Sequence, residues 1–142
     1  MTTVDKIMSR RVLDVDMDVT LREVREIFSH AHFHHMLVKD GEQLVGIVSD
    51  RDLLKAVSPY VGTSDERPRD AATLNKRVHQ IMTRKPITIC ADSSVLEAIR
   101  CFIDHRISCL PVVTKNGSVA GILTWRDILA AIVATADHPH PR

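Results

Sequence analysis

The sequence predicts an α/β (α+β) fold built from two tandem β-α-β-β-α repeats related by an approximate twofold, and three observations carry that reading. The first is internal repetition. Residues 4–38 align with residues 78–112 and residues 44–56 with residues 119–131, and 14 of those 48 pairs are identical. Two copies of a unit too small to bury a core alone are expected to pack on each other, with equivalent clefts between them. The second observation is a duplicated helix start, Thr20-x-x-Glu23 and Ser94-x-x-Glu97, each with the signature of a capping box. The third is a duplicated hairpin, with Asp40-Gly41 and Asn116-Gly117 between apolar runs.

Each repeat opens with a short β-branched stretch, residues 12–15 or 86–89, that suggests a strand or extended arm. The capped helix follows. Leu21, Val24, Ile27 and Phe28 recur at helical spacing in one copy, as do Val95, Ala98, Ile99 and Phe102 in the other. One face of each helix is therefore core, and Phe28 and Phe102 are expected in equivalent buried positions. Two apolar strands come next, residues 36–38 and 44–48 or 110–113 and 119–123. A second helix is expected from about Ser49 to Val57 and from about Thr124 to Ala134. The boundaries read as repeat 1 over 1–57, a linker rich in Pro, Gly, Ser and charge over 58–77, repeat 2 over 78–135, and a disordered tail over 136–142.

Composition narrows the function classes. The 142 residues carry a formal charge of +1 with both signs intermixed, so no polybasic face offers itself to nucleic acid. No apolar run is long enough to span a bilayer and the N-terminus lacks a signal-peptide pattern, so a cytoplasmic protein is expected. Cys90, Cys101 and Cys109 show no CxxC spacing and are expected to be reduced and buried.

The motifs Ile7-Met8-Ser9-Arg10 and Ile81-Met82-Thr83-Arg84, the capped helices, Leu110-Pro111-Val112-Val113, and Gly-Ile-[Val/Leu]-[Ser/Thr]-x-Arg-Asp-[Leu/Ile]-Leu at Gly46 and Gly121 resemble the CBS (cystathionine β-synthase) domain. Two in tandem resemble a Bateman module, most nearly the small stand-alone bacterial CBS-pair proteins that include the acetoin-utilisation type. The resemblance implies binding of an adenosyl ligand (AMP, ADP, ATP or S-adenosylmethionine, with Mg²⁺ as a possible companion) in clefts between the repeats. It also implies regulation of some other protein, which the sequence does not name, and a homodimer associated through helices. It does not imply catalysis, and no nucleophile-base or paired-carboxylate constellation stands out in the residues.

On the family pattern, Asp52 and Asp127 accept hydrogen bonds from both ribose hydroxyls, as a bidentate acceptor can, and the hydroxyls of Ser49 and Thr124 contact ribose or phosphate. The same [Ser/Thr]-x-x-Asp spacing is also a capping signature, and the two roles are compatible. The family builds each site from both copies, which sets Asp52 and Ser49 against Thr83 and Thr88, and Asp127 and Thr124 against Ser9 and Asp14. Asp14 in place of a neutral Thr would put a second anion beside a polyphosphate, making the Asp52 cleft the better nucleotide site. His34 and His35 are candidate phosphate contacts, as are Arg51 and Arg126, against a plain solvated role for each. Their counterparts in repeat 2, Ser108 and Cys109, carry no charge. Four histidines within residues 30–35 also admit a metal-binding reading, although the segment holds no Cys or carboxylate to complete a ligand set. Trp125 and the apolar residues 128–134 offer an association surface. Val12, Asp14 and Leu37 depart from the family pattern, which keeps open a structural homodimer with vestigial clefts.

Overall fold

A computed structural model of the chain describes residues 2–137, and these divide into two compact units that cut across the repeats. One unit is residues 13–86. The other joins residues 2–12 to residues 87–137. In each unit, the opening arm of one repeat packs on the sheet of the other repeat.

In the 13–86 unit, strands β1 (Asp14–Asp16), β2 (His35–Asp40), β3 (Gln43–Ser49) and β4 (Thr83–Arg84) form one sheet in that order. β1 runs parallel to β2, and the other pairs are antiparallel. Helix α1 (Leu21–His30) and helix α2 (Asp50–Ala56) cover it around a core of Leu21, Val24, Met36, Val38, Val48, Leu53, Val78 and Met82. Each fully buried aliphatic side chain of this kind contributes roughly 1.5–3 kcal/mol. The second unit repeats the plan with β5 (Ile89–Cys90), β6 (Cys109–Val113) and β7 (Val119–Thr124), and with helices α4 (Val95–His105) and α5 (Trp125–Asp137). Its core is Val4, Met8, Ile89, Ala98, Phe102, Leu110, Val112, Leu123 and Ile128.

The Met and Gly motifs explain each other. Ser9 and Ile122 exchange backbone hydrogen bonds of 2.9 Å in both directions, laying the first arm along β7, and Thr83 stands in register with Ile47 on β3. A Cβ at Gly121 would meet the Ser9 carbonyl oxygen at 2.5 Å, and one at Gly46 would meet Met82 Sδ at 2.3 Å. Only a residue without a side chain lets the arm lie this close. The hairpin turns are as expected, with Gly41 at φ +61° and Gly117 at φ +85°.

Several expectations need correction. The hydroxyl half of each first-helix capping box forms, with Glu23 N–H donating to Thr20 Oγ1 (3.3 Å) and Glu97 N–H donating to Ser94 Oγ (3.1 Å), but no carboxylate half accompanies it. The chain entering each helix is instead tied to a neighbouring segment, with Leu21 N–H on the Lys76 carbonyl and Val95 N–H on that of Thr2. The stretch 58–77 is not a plain linker: it folds into α3 (Pro68–Ala72) and a 3-10 turn over Thr73–Asn75. There Asp70 is buried and accepts from Ser58 Oγ (2.7 Å) and Arg67 N–H (2.8 Å), which holds its carboxyl below the usual range, the Ser58 bond most of all. Helix α5 runs on to Asp137, three residues past its expected end, and the rest of the expected tail lies outside the described residues. Of the cysteines only Cys109 is buried; Cys101 is half-buried and Cys90 exposed, because β5 is an edge strand with Cys90 on its outer side.

Phe28 and Phe102 are not equivalent either. Phe102 is fully buried with Trp125 over it, ring centroids 5.1 Å apart, whereas Phe28 is half-buried. Asp50 occupies the position aligned with Trp125 and brings no ring to cover Phe28.

Candidate functional site

In the 13–86 unit β3 ends at Ser49 and the chain turns directly into α2. The turn is a reciprocal capping box, in which Ser49 N–H donates to Asp52 Oδ2 (2.9 Å) and Asp52 N–H donates to Ser49 Oγ (3.1 Å). Capping occupies one carboxylate oxygen, and Asp52 Oδ1 takes no hydrogen bond among the described residues. The side chain is thereby fixed in one orientation with an acceptor to spare at the positive end of a helix. The loop preceding β2 is pinned to the same turn: His34 Nδ1–H donates to Asp50 Oδ2 (2.8 Å), and Asp50 N–H donates to the His34 carbonyl (3.0 Å). His35 lies opposite Ser49 in the sheet and is half-buried. Burial holds its imidazole below the ordinary histidine value, with His34 adding to the effect and Asp50 and Asp52 opposing it. Thr83 sits exposed on β4, and Arg51 is exposed in the first turn of α2. One unit therefore gathers Ser49, Asp52, Thr83, His34 and His35 around the β3–α2 junction.

The other unit builds the same junction with fewer charges. Thr124 N–H and Thr124 Oγ1–H donate to Asp127 Oδ2 (2.9 and 3.2 Å), Asp127 N–H donates to Thr124 Oγ1 (3.4 Å), and Ser9 is bridged to Ile122 just before the turn. Arg126 is exposed. Cys109 stands where His35 stands in the first unit, and burial, with Asp127 adding to it, pushes its thiol up to about 12. It is a packed, inert thiol.

Thr88 is exposed just before β5, and Asp14 is exposed at the start of β1. Asp14 is also not a bare anion, since Lys39 Nζ lies 3.2 Å from its Oδ2. That counter-ion removes most of the like-charge argument against the Asp127 site. Lys39 and Asp50 were the residues missed. Asp50 was legible in principle, being an acid at the first position of a helix one residue after a capping Ser. The histidines disperse: His30 bonds back to the Glu26 carbonyl on α1, His32 is exposed, and His34 is committed to Asp50. Among the described residues no three His, Cys, Asp or Glu side chains converge on a metal-sized site.

The family model that matches this chain is the CBS domain, twice, over residues 4–59 and 78–134. The chain belongs to the CBS domain family. A CBS domain-containing protein of Dictyostelium discoideum is 30% identical over 141 residues, covering 98% of this chain and 97% of its own length. Against four other curated relatives the chain spans 23% to 53% of their length. The CBS domain pair of protein MJ0100, solved in complex with 5′-methylthioadenosine and S-adenosyl-L-methionine, matches at 26% identity and TM-score 0.77 over 95% of this chain and 98% of that one. CBSX2, solved with AMP, matches at 25% identity and TM-score 0.78 over 96% and 99%. A structure of a Vibrio cholerae acetoin utilization protein (AcuB) shares the fold at 24% identity, with a TM-score of 0.77 over 99% of each chain. Among the described residues no helix is long and apolar enough to cross a membrane.

Proposed function

We propose that this CBS pair is a cytoplasmic regulatory module that binds an adenosyl ligand (AMP, ADP, ATP or S-adenosylmethionine, with or without Mg²⁺) and transmits occupancy to its own assembly or to a regulated protein, without catalysing a reaction. One observation carries the reading: at both strand-to-helix junctions an Asp is locked by its own cap through one oxygen and keeps the other as an acceptor, and the opposite repeat's arm, at Thr83 or Ser9, pairs with the strand two residues before the capping hydroxyl. A ribose diol is a ligand for such an acceptor, and the helix N-terminus favours the phosphate that follows it. The adenosyl ligands of MJ0100 and CBSX2 support the class. In this proposal Asp52, Ser49, Thr83, His34, His35 and Arg51 form the stronger site, because only this junction carries imidazoles for phosphate; Asp127, Thr124, Ser9 and Arg126 form the weaker one. Thr88, exposed just before β5, is kept as a candidate ligand contact.

The protein acts as a homodimer in this reading, which keeps a ligand-independent structural dimer as the competing possibility. Isothermal calorimetry with AMP, ADP, ATP and S-adenosylmethionine, with and without Mg²⁺, tests it. Heat with an adenosyl ligand and none with a non-adenosine nucleotide is expected. Silence toward all four ligands would sink the sensor and leave the structural dimer.

A further inference from the structure

Of the histidines in residues 30–35, one is tied twice to the first strand-to-helix junction. His34 and Asp50, 16 positions apart in the chain, close a small ring: Asp50 N–H donates to the His34 carbonyl (3.0 Å) and His34 Nδ1–H donates to Asp50 Oδ2 (2.8 Å). A carboxylate can only accept, so the ring hydrogen is held on Nδ1. The neutral imidazole is then left with a lone pair on Nε2, in a side chain that is 78% exposed. Such a lone pair meets the oxygens of a phosphate with no hydrogen between them. Only the imidazolium, protonated on both nitrogens, offers a donor at Nε2.

The charge balance points the same way. The start of α2 carries Asp50 and Asp52 against Arg51, a net −1 while the imidazoles are neutral. A phosphate dianion brought beside those carboxylates is repelled until a cation joins them. The other elements that meet here contribute His35 on β2, half-buried opposite Ser49, and Arg84 on β4, whose guanidinium donates to the His79 carbonyl (3.2 Å). Burial above all holds the His35 imidazole below the ordinary histidine value, with His34 adding to it and Asp50 and Asp52 opposing it, so these four groups feel one another's charge and His34 is the one open to solvent. In the other unit the aligned pair is Ser108 and Trp125, and the Cys109 thiol, pushed up to about 12, keeps its proton. The dyad exists in one copy of the repeat.

We propose that Asp50 is a positioning residue that fixes the His34 tautomer, so that the first junction takes the phosphate of its adenosyl ligand together with one proton from solvent, held on His34 Nε2. The proposal rests on the adenosyl reading above and adds to it the regulation of that site. Affinity for a phosphorylated ligand follows pH there, and affinity for the phosphate-free nucleoside does not. The junction thereby separates AMP from adenosine by charge.

Isothermal calorimetry of the full chain with AMP, and with adenosine as the phosphate-free control, tests this from about pH 7 to about pH 8.5, where the phosphate is a dianion throughout. Repeating each titration in buffers of different ionisation enthalpy counts the protons taken up. In the wild type, AMP is expected to take up close to one proton and to lose up to ~tenfold in affinity per pH unit, while adenosine takes up none. Asp50→Asn removes the charge that favours the imidazolium and lets the neutral ring present Nε2–H, while the backbone bond to the His34 carbonyl still holds the loop. It should cut the uptake by more than half and flatten the AMP profile, with adenosine binding unchanged and the circular dichroism of the wild type. His34→Gln, which carries no proton, should abolish the uptake. Full uptake in either variant, or an adenosine affinity that follows pH as steeply as that of AMP, overturns the proposal while the adenosyl reading stands. Failure of both AMP and adenosine to bind at any pH overturns that reading and the proposal with it.

Discussion

The two units share a plan and differ in what coats it. Around Phe102 the second unit stacks Trp125, buries Cys109 and leaves an apolar helical face. The first has Asp50, His35 and an arginine-studded helix at the aligned positions, with Phe28 half-covered. The residues held in common are those the fold needs: the arm Met and the Gly it lies on, the hairpin Gly, and the capping Ser or Thr with its Asp. Many positions outside that set have diverged, toward charge in one unit and toward apolar side chains in the other. Duplication fixed the frame and released the surface.

That division of labour is broken most directly at the carboxylates. Asp52→Asn keeps an oxygen for the cap but replaces the second acceptor with a donor; loss of a diol contact of this kind costs on the order of 2–3 kcal/mol, roughly a hundredfold in affinity. Calorimetry should show that loss for Asp52→Asn and a smaller one for Asp127→Asn; equal effects would mean the histidines add nothing. The shared frame is tested at the glycines. Gly121→Ala sets a methyl against the Ser9 carbonyl, a backbone atom that cannot turn aside, whereas Gly46→Ala meets first the flexible end of Met82. Both should lower the melting temperature, Gly121→Ala more, within the ~1–3 kcal/mol typical of overpacking. Trp125→Ala should cost about 1 kcal/mol through its ring contact with Phe102, while Phe28, which has no such cover, should respond little to Asp50→Ala.

The smallest effect is a pH slope. His35 has a folded-state pKa below its ordinary 6.5, so between those two values the unfolded chain binds more protons, and its contribution to stability, complete above 6.5, is lost as the pH falls through the folded-state value. Thermal melts from pH 7.5 down to 5 should therefore show a decline that His35→Gln flattens. An adenosine phosphate at this junction would favour the protonated imidazole, so its affinity should rise over the same acid range in wild type and not in His35→Gln.

The repeat, the hydroxyl caps and the glycine turns were legible because each is written within a few residues. The Ser49–Asp52 box was legible too, with its double meaning. What stayed hidden depended on residues distant in the chain. The carboxylate halves of the first-helix caps are absent because segments around residues 2 and 76 meet the helix starts, Asp70 is buried because Ser58 folds over it, and Lys39 neutralises Asp14 only once β1 lies along β2. Composition marked residues 58–77 as a linker for the same reason. Proline at the first position of a five-residue helix reads like a loop until the buried acid is seen.

The crossing of the arms means that the chain is clasped to itself. Residues 62–67, all exposed, would accept a protease, yet a cut there yields two polypeptides, each owning part of both cores. The first keeps its arm under β7 through Met8 and Ser9, and the second keeps its own against β3 through Met82 and Thr83. Neither can leave without dismantling two hydrophobic clusters at once, so a nicked molecule should sediment as one particle in buffer and separate into two chains only in denaturant.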